Sequence, residues 1–291
     1  MDRIGHCLPN NNAGLPQAAI RVDDQSMKRI AIVTGASAGL GREFALQIDE
    51  SEKPDEIWLV ARRRDRLAEL SGQLKHASGI IIEADLATTA GCALVSDRLA
   101  AEPVELAVFV NNAGFGTYGP FIETGKEWQL SMIDLNIRAL TDLSWTALRH
   151  LKAGGLLINV ASLAAFMPLA NFAVYAATKA YVLSFSTAIA AESEHRGVRV
   201  IALCPGSTST EFALVASGGA RSEVLHGLSA AAVVRGCLRH ARRGKWQSLP
   251  AINWKITAFA SRWIGRRLVA RLTWRFAKRP QAATVPLGNS P

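Results

Sequence analysis

Residues 29–41 read RIAIVTGASAGLG, and this stretch decides the fold. Its first half is an apolar, β-branched run, which is typical of a buried strand at 30–34. The glycines that follow predict a tight turn, and a helix is expected near residues 41–49. Parallel strands covered by helices on both faces read as continuous apolar runs. The stretch therefore predicts the opening strand and helix of a βαβ unit.

The same alternation of strands and helices continues along the chain. Further strands are predicted at 56–60, 80–84, 106–111, 155–161 and 198–204, with long helices at 126–152 and 175–195. Short strands separated by helices favour parallel pairing, so we expect a doubly wound, Rossmann-like α/β sheet with helices on both faces. One domain is assigned to residues 27–244. It lies between a disordered extension at 1–26 and a basic, Trp-rich segment at 245–291.

The composition is typical of a globular protein in a reducing compartment. Hydrophobic residues make up 49% of the 291 residues and charged residues 20%. Residues 1–26 lack the apolar core of a secretory signal, and Met27 is a candidate start. The cysteines have neither paired nor metal-ligand spacing, which favours a cytoplasmic protein without a structural disulfide or a metal site: Cys7, Cys92, Cys204 and Cys237.

Residues 153–178 carry no charge and are long enough to span a bilayer. The stretch contains Gly154, Asn159, Pro168 and Asn171, however, which break a continuous helix. A buried strand, an active-site loop and the start of a helix explain it better.

The net charge of +9 is unevenly distributed. Positions 235–279 hold 13 lysines and arginines, and no acidic residue follows Glu223, which leaves 20 basic against 24 acidic residues elsewhere. This asymmetry indicates an anionic surface as a partner of the C-terminal segment.

The glycine-rich turn after the first strand predicts a phosphate site. Glycines let a pyrophosphate approach the backbone, and the following helix N-terminus offers free N–H groups and a partial positive charge. An ordinary βα turn is the alternative interpretation. The residues assigned to this cofactor contact are Gly35, Ser37, Ala38, Gly39, Leu40 and Gly41.

The end of the second strand favours NADP over NAD. An acidic residue there would bind the ribose hydroxyls of NAD, but this chain has Arg62 and Arg63. A guanidinium can hold the 2′-phosphate of NADP through paired hydrogen bonds, with Arg62 as the first candidate and Arg63 and Ser37 in support. A solvated basic helix start is the alternative. Asp85, with Leu86 beside it, is placed to contact the adenine.

Two further groups complete the predicted site. Asn111, Asn112, Ala113 and Gly114 follow the fourth strand, where amide side chains can tie strands together and glycine lets a loop pass close to a ligand. Tyr175 and Lys179 lie one helical turn apart, with Ser162 thirteen residues upstream of Tyr175. A nearby ammonium favours the phenolate, so such a pair can move a proton near neutral pH. A packed aromatic ring beside a solvated lysine is the alternative interpretation of the pair alone.

Taken together, these residues resemble the short-chain dehydrogenase/reductase family over roughly residues 28–215. The resemblance implies that Tyr175 is the general acid or base, that Lys179 lowers its pKa and binds the nicotinamide ribose, and that Ser162 holds the substrate oxygen. It further implies that Asn136 fixes a water on a path from Lys179 to solvent. Four residues would wall the nicotinamide: Pro205, Gly206, Thr208 and Thr210.

The resemblance implies an NADPH-dependent carbonyl reductase or alcohol dehydrogenase, assembled as a homodimer or homotetramer through two long helices. It places a lid over the substrate at 211–228. Apolar residues near the expected mouth favour a hydrophobic carbonyl compound, although they could equally be core residues: Phe166, Met167, Pro168, Phe172 and Phe212. A nucleotide-sensing or membrane-associated scaffold without turnover is the alternative function.

The C-terminal segment has a pattern of its own. It holds Trp246, Trp254, Trp263 and Trp274, and its arginines are interleaved with apolar residues that fall on one side of a helix: Ile264, Leu268, Leu272 and Phe276. Such a helix can lie at an anionic membrane surface, including the inner face of the cell membrane. Closure over the substrate pocket or packing on a second subunit are the alternatives. No nucleic-acid-binding fold accompanies the charge.

Overall fold

The main sheet is built from parallel strands in the computed structural model, which describes residues 27–220 and 227–277. Within these ranges it has seven strands: β1 (Lys28–Thr34), β2 (Glu56–Ala61), β3 (Ser78–Glu83), β4 (Val104–Asn111), β5 (Leu156–Val160), β6 (Arg199–Leu203) and, after a separate two-stranded pair, β9 (Gln247–Ser248). Their spatial order is β3-β2-β1-β4-β5-β6-β9. The chain therefore winds outward in both directions from β1 and β4, which gives the predicted doubly wound sheet.

Helices cover both faces of this sheet. The helices before the separate pair are α1 (Gly39–Glu52), α2 (Arg64–Ser71), α3 (Thr89–Ala101), α4 (Lys126–Ile133), α5 (Leu140–His150) and α6 (Ala173–Glu194). The later elements are β7 (Thr208–Ser209), α7 (Phe212–Ala216), β8 (Leu228–Ser229), α8 (Ala230–Arg242), α9 (Ile252–Ala260) and α10 (Arg266–Phe276). Buried side chains of α1, α2 and α8 pack on one face, and those of α3, α5 and α6 on the other.

The alternation of side chains along β1 explains the two cores. Ile30 and Ile32 belong to the core beneath α3, α5 and α6, whereas Ala31 and Val33 belong to the core beneath α1, α2 and α8. Successive residues of a strand point to opposite faces, so a strand buried on both faces must be apolar throughout. The six strands predicted from such runs are all present, with ends within two residues of the prediction.

The structure adds elements that the sequence did not predict. Helix α3 contains Gly91 and many small residues, which give it a weak helical pattern. Strand β9 has two residues, too few for periodicity. The helix predicted at 126–152 is interrupted by a π-helical segment (Asp134–Ala139) between α4 and α5.

The C-terminal segment takes part in the fold. Gln247 and Ser248 pair with β6, although the sequence set residues 245–291 apart from the domain. Trp254 on α9 belongs to the core beneath α8, and its indole lies against Gly206. A Cβ at Gly206 would lie 2.6 Å from Trp254 Cε2, so the indole fills the space that a larger residue at 206 would need. The predicted extension at 1–26 lies outside the described residues.

The uncharged stretch at 153–178 has the predicted structure. It contains β5, a 3₁₀ turn (Leu163–Phe166) and the start of α6. None of the helices within residues 27–220 and 227–277 combines the length and apolar character needed to cross a bilayer.

The Trp254 contact gives a stability prediction. Trp254→Ala should lower the free energy of unfolding by about 3–5 kcal/mol, because it removes a buried aromatic side chain and leaves a cavity. Trp254 is 5% exposed, whereas Trp263, which follows the same helix, is 79% exposed. Trp263→Ala should therefore cost less than about 1 kcal/mol. Denaturant titration of both variants measures the difference, and equal losses would contradict the packing of α9.

Candidate active site

A cavity of about 740 Å³ opens at the carboxyl ends of the strands. This is the edge at which ligands bind in doubly wound sheets, where the strand order reverses between β1 and β4. Its wall includes all the residues predicted to contact the cofactor except Gly41. Gly41 supports the wall from behind, because a Cβ there would lie 2.7 Å from the carbonyl carbon of Gly35.

The turn after β1 is clamped to the loop after β4. Asn112 Nδ2 donates hydrogen bonds to the carbonyl oxygens of Thr34 and Gly35, at 2.9 and 3.2 Å. Thr34 Oγ1 in turn accepts from the backbone N–H groups of Asn112 and Ala113. Gly35 has φ +64°, and a Cβ there would lie 2.7 Å from Asn112 Nδ2. Only glycine satisfies both demands, so the two loops meet closely and the start of α1 faces the cavity.

Asn111 makes hydrogen bonds to different partners from those of Asn112. Its Nδ2 donates to Ser144 Oγ at 3.0 Å and to Asn159 Oδ1 at 3.1 Å. Asn159 Nδ2 donates onward to Ser186 Oγ at 3.0 Å. This buried polar network joins β4 and β5 to the two long helices, as the predicted tie between neighbouring strands requires.

A basic cluster lies at the end of the cavity formed by β2. Arg63 donates to Ser37 Oγ from Nε and Nη2, at 3.2 and 2.9 Å, and its Nη1 contacts Glu211 Oε2 at 3.0 Å. Arg66 binds the other oxygen of Glu211, and Arg62 lines the same cavity. Partial burial raises the pKa of Glu211, but the hydrogen bonds from Arg66 and Arg63 outweigh it and hold the pKa below its usual range.

Asp85 and Leu86 line the cavity beside this cluster. One carboxylate oxygen of Asp85 accepts from the N–H of Ala87 at 3.0 Å, which fixes the turn after β3. Leu86 is buried. The structure thus brings both residues to the cavity wall, and their contact with adenine stays a prediction.

Three of the four residues predicted to be catalytic, Ser162, Tyr175 and Lys179, lie on the cavity wall. Tyr175 and Lys179 are buried on α6, and Lys179 Nζ lies 5.7 Å from the centroid of the Tyr175 ring. Lys179 Nζ donates to the carbonyl oxygen of Val160 at 2.8 Å. Ser162 caps the 3₁₀ turn, where its Oγ accepts from the N–H of Ala164 at 3.1 Å.

Burial lowers the pKa of Lys179. Loss of hydration lowers its pKa from 10.5 to about 8, and only an ionised Cys204 would act in the opposite direction. Burial raises the pKa of that thiol to about 12, so Cys204 stays neutral at ordinary pH. An ammonium with a pKa near 8 can both carry charge beside a phenol and exchange a proton.

Asn136 lies behind the wall, in the π-helical segment. Its Nδ2 donates to the carbonyl oxygen of Phe115 at 2.9 Å and to Thr178 Oγ1 at 3.1 Å. Its Oδ1 accepts from the N–H of Phe115 at 3.2 Å. The side chain therefore holds the loop after β4 against α6.

Aromatic rings form the remaining wall. Phe172 stacks on Tyr175 with ring centroids 4.2 Å apart, and Phe212 lies 5.3 Å from Tyr175. Met167 also lines the cavity, whereas the predicted Phe166 and Pro168 lie outside its wall. Phe166 instead packs against the core beside β6.

Several residues of this wall were not predicted from the sequence, among them Tyr118, Thr257 and Ala277. Tyr118 meets the edge of Phe172 at 4.7 Å, and its place in the loop after Gly114 was the available signal. Thr257 and Ala277 reach the cavity from the C-terminal segment. No local pattern announces them, because only the tertiary fold brings that segment to the cavity.

Comparison with known proteins places this geometry in a family. The short chain dehydrogenase model matches residues 29–217. Serine 3-dehydrogenase from Agrobacterium fabrum is 33% identical over 197 residues, covering 66% of this chain and 77% of that protein.

Solved structures agree with the sequence match. A short-chain dehydrogenase from Sphingobium yanoikuyae in complex with NADPH is 27% identical, with a TM-score of 0.71 over 80% of this chain and 94% of that one. The bulky-bulky ketone specific alcohol dehydrogenase from Comamonas testosteroni is 25% identical, with a TM-score of 0.66 over 80% and 92%. Other proteins of this fold were solved with NADP⁺ or with NAD, so the bound cofactor differs among these neighbours.

The buried ammonium gives a pH-dependent stability prediction. Lys179→Met should raise the free energy of unfolding at pH 7 by about 1–3 kcal/mol, because the native protein holds a cation whose pKa is lowered from 10.5 to about 8. Between pH 8 and 10.5 the unfolded lysine keeps its proton while the buried one has lost it. The wild type should therefore gain stability as the pH rises through this window, and the difference should shrink.

Denaturant titration at a series of pH values measures this difference. Lys152→Met, at an exposed position, is the matched control, and its effect should not vary across the same window. A pH-independent effect of Lys179→Met would contradict the lowered pKa.

Proposed function

The chain belongs to the short chain dehydrogenase family, and from that premise we propose that it transfers a hydride between NADP(H) and a hydrophobic carbonyl or alcohol substrate. The observation that carries this proposal is the meeting of Ser162, Tyr175 and Lys179 on the wall of one cavity at the carboxyl edge of the sheet. The family relationship supports an oxidoreductase, and these residues supply the proton chemistry that such a reaction needs.

The residues present fit a nicotinamide dinucleotide. The close approach of Gly35 to the loop after β4 leaves backbone where a pyrophosphate needs it, and α1 begins there. The wall formed by Pro205, Gly206, Thr208 and Thr210 would hold the nicotinamide end. When bound, the cofactor supplies or accepts the hydride.

Proton transfer falls to the protein. In carbonyl reduction Tyr175 donates its proton to the substrate oxygen, and in alcohol oxidation its phenolate accepts one. Lys179 stabilises the phenolate by its charge, and Ser162 donates a hydrogen bond that positions the substrate oxygen. Asn136 keeps the loop after β4 in place, and we assign it the proton path from Lys179 to solvent through an ordered water.

The preference for NADP rests on the basic cluster. Arg63 and Ser37 already contact one another, and Arg62 and Arg66 lie close by. No acidic side chain follows β2 in the position that would bind the ribose hydroxyls of NAD, since residues 62–64 are all arginine. A 2′-phosphate would find charge-assisted donors here.

The substrate end of the cavity is apolar. Phe172, Phe212, Tyr118 and Met167 line the same cavity as Tyr175, which favours a bulky hydrophobic ketone or secondary alcohol. The relative from Comamonas testosteroni is specific for bulky-bulky ketones, which supports the same substrate class. A scaffold without turnover would have no need for the complete set of Ser162, Tyr175 and Lys179.

We also propose a cytoplasmic homodimer or homotetramer paired through the long helices. Large apolar side chains are exposed on α4, α5 and α6, where a partner subunit would cover them: Leu130, Ile133, Trp145 and Tyr181. Exposed apolar surface of this extent is typical of a subunit contact.

Tyr175→Phe tests the proton donor. Turnover of a ketone with NADPH should fall by about 10²–10⁴-fold, because the ring is kept and only the proton donor is lost. NADPH binding should be retained. Tyr118→Phe is the matched control, since it removes a hydroxyl from the same aromatic cluster, and it should lose less than about tenfold. Full turnover by Tyr175→Phe would refute the assignment.

Arg62→Asp and Arg63→Asp test the cofactor preference. Each should lower kcat/KM for NADPH by about 10–100-fold, because a charge-assisted phosphate contact is replaced by repulsion. The rate with NADH should hold or rise. Arg64→Asp is the control, since Arg64 begins α2 and lies outside the cavity wall. An unchanged NADPH to NADH ratio in both cavity variants would exclude these arginines from the site.

A further inference from the structure

Helix α9 presents an apolar stripe to solvent. The stripe consists of Ile252, Ile256, Phe259 and, just after the helix, Trp263, which are between 62% and 79% exposed. Their spacing of four, three and four residues places them on one side of a helix. The opposite side carries Trp254 and Ala258, which are buried. One side of the helix thus packs on the domain, and the other side is exposed to solvent.

Helix α10 repeats the arrangement and adds charge. Its stripe consists of Leu268, Leu272 and Phe276, together with Ile264 just before the helix, and these side chains are between 42% and 74% exposed. Thr273 lies on the attached side, where its Oγ1 accepts from the N–H of Ala170 at 3.1 Å.

Three arginines lie beside the α10 stripe and, like the residues of the stripe, recur every four positions. Arg267, Arg271 and Arg275 each precede a residue of the stripe and are exposed. The guanidinium carbon of Arg275 lies 5.7 Å from the ring centroid of Phe276. Cationic and apolar side chains thus lie side by side on the outer surface of α10, which is the pattern of a helix at an interface between water and lipid.

We propose that α9 and α10 form a docking surface for an anionic lipid bilayer. The apolar stripes enter the headgroup region while the arginines contact the lipid phosphates. A second copy of the chain is a less suitable partner for this surface. In a two-fold symmetric contact the arginines of the two copies would face one another, and no acidic residue follows Glu223 to neutralise them.

The docking surface is continuous with the cavity. Thr257 of α9 and Ala277 beyond α10 line the cavity wall, and Thr273 is bonded to the loop that leads to Phe172. A bilayer against these helices would lie beside the mouth of the site. The proposal concerns where the protein binds, and it stands whether or not the assigned reaction is correct.

Co-sedimentation of the full chain with vesicles tests the proposal. The wild type should bind vesicles of phosphatidylcholine mixed with phosphatidylglycerol and bind pure phosphatidylcholine at least about tenfold more weakly. The apolar variant, Ile256→Ser with Phe259→Ser and Trp263→Ser, should lose at least about tenfold in binding. The charge variant, Arg267→Gln with Arg271→Gln and Arg275→Gln, should lose a similar factor.

The control variant removes three exposed apolar side chains from the rest of the surface: Leu94→Ser, Phe121→Ser and Ile122→Ser. It should bind like the wild type. All variants should keep the wild-type melting temperature, because the substituted side chains are exposed.

Four results would overturn the proposal. They are no vesicle binding by the wild type, equal binding of neutral and anionic vesicles, equal binding by the wild type and the apolar variant, and equal losses in the apolar and control variants. If the apolar variant sediments as a smaller assembly than the wild type but binds vesicles equally well, the surface forms a contact with a second subunit instead.

Discussion

The hydrogen bond from the Lys179 ammonium to the carbonyl oxygen of Val160 is the interaction on which the site depends. A buried ammonium is costly unless its hydrogens find acceptors, and here the end of β5 supplies one. The bond fixes the start of α6 against the carboxyl edge of the sheet. Tyr175, one turn earlier, is thereby held on the cavity wall between Lys179 and the aromatic cluster. Burial of this ammonium lowers the stability of the fold, and the same residue lies beside Tyr175 on the cavity wall.

Much of this could be read from the sequence, because the signals are local. A strand buried on both faces must be apolar, and the turn after β1 must contain glycine where φ is positive and Asn112 approaches. Tyr175, Lys179 and Ser162 follow fixed spacings that the helix and the strand end convert into proximity. These features predicted the sheet and brought the same residues to the cavity. The roles assigned to them in binding and turnover stay predictions.

What the sequence did not predict depends on contacts between distant segments. The Glu211 link to Arg63 and Arg66 joins positions about 150 apart in sequence through exposed ion pairs, which leave no pattern. The π-helical turn at Asn136 spans six residues, which is too short to give a periodic signal of its own. Thr257 and Ala277 reach the cavity only because α9 and α10 fold back over it. Phe166 and Pro168 failed as wall residues because an apolar residue in a loop can turn either to the core or to the ligand.

The contact between Gly206 and Trp254 limits how this chain can recombine with its relatives. The family match ends at residue 217, yet Trp254, which packs against Gly206, is supplied 37 positions later. An exchange of C-terminal halves, in nature or in a shuffled library, would separate the two partners. A foreign end with a different side chain at 254 would leave a void at Gly206, and a foreign wall with any Cβ at 206 would clash with the indole. Viable crossovers must therefore inherit both positions from one parent.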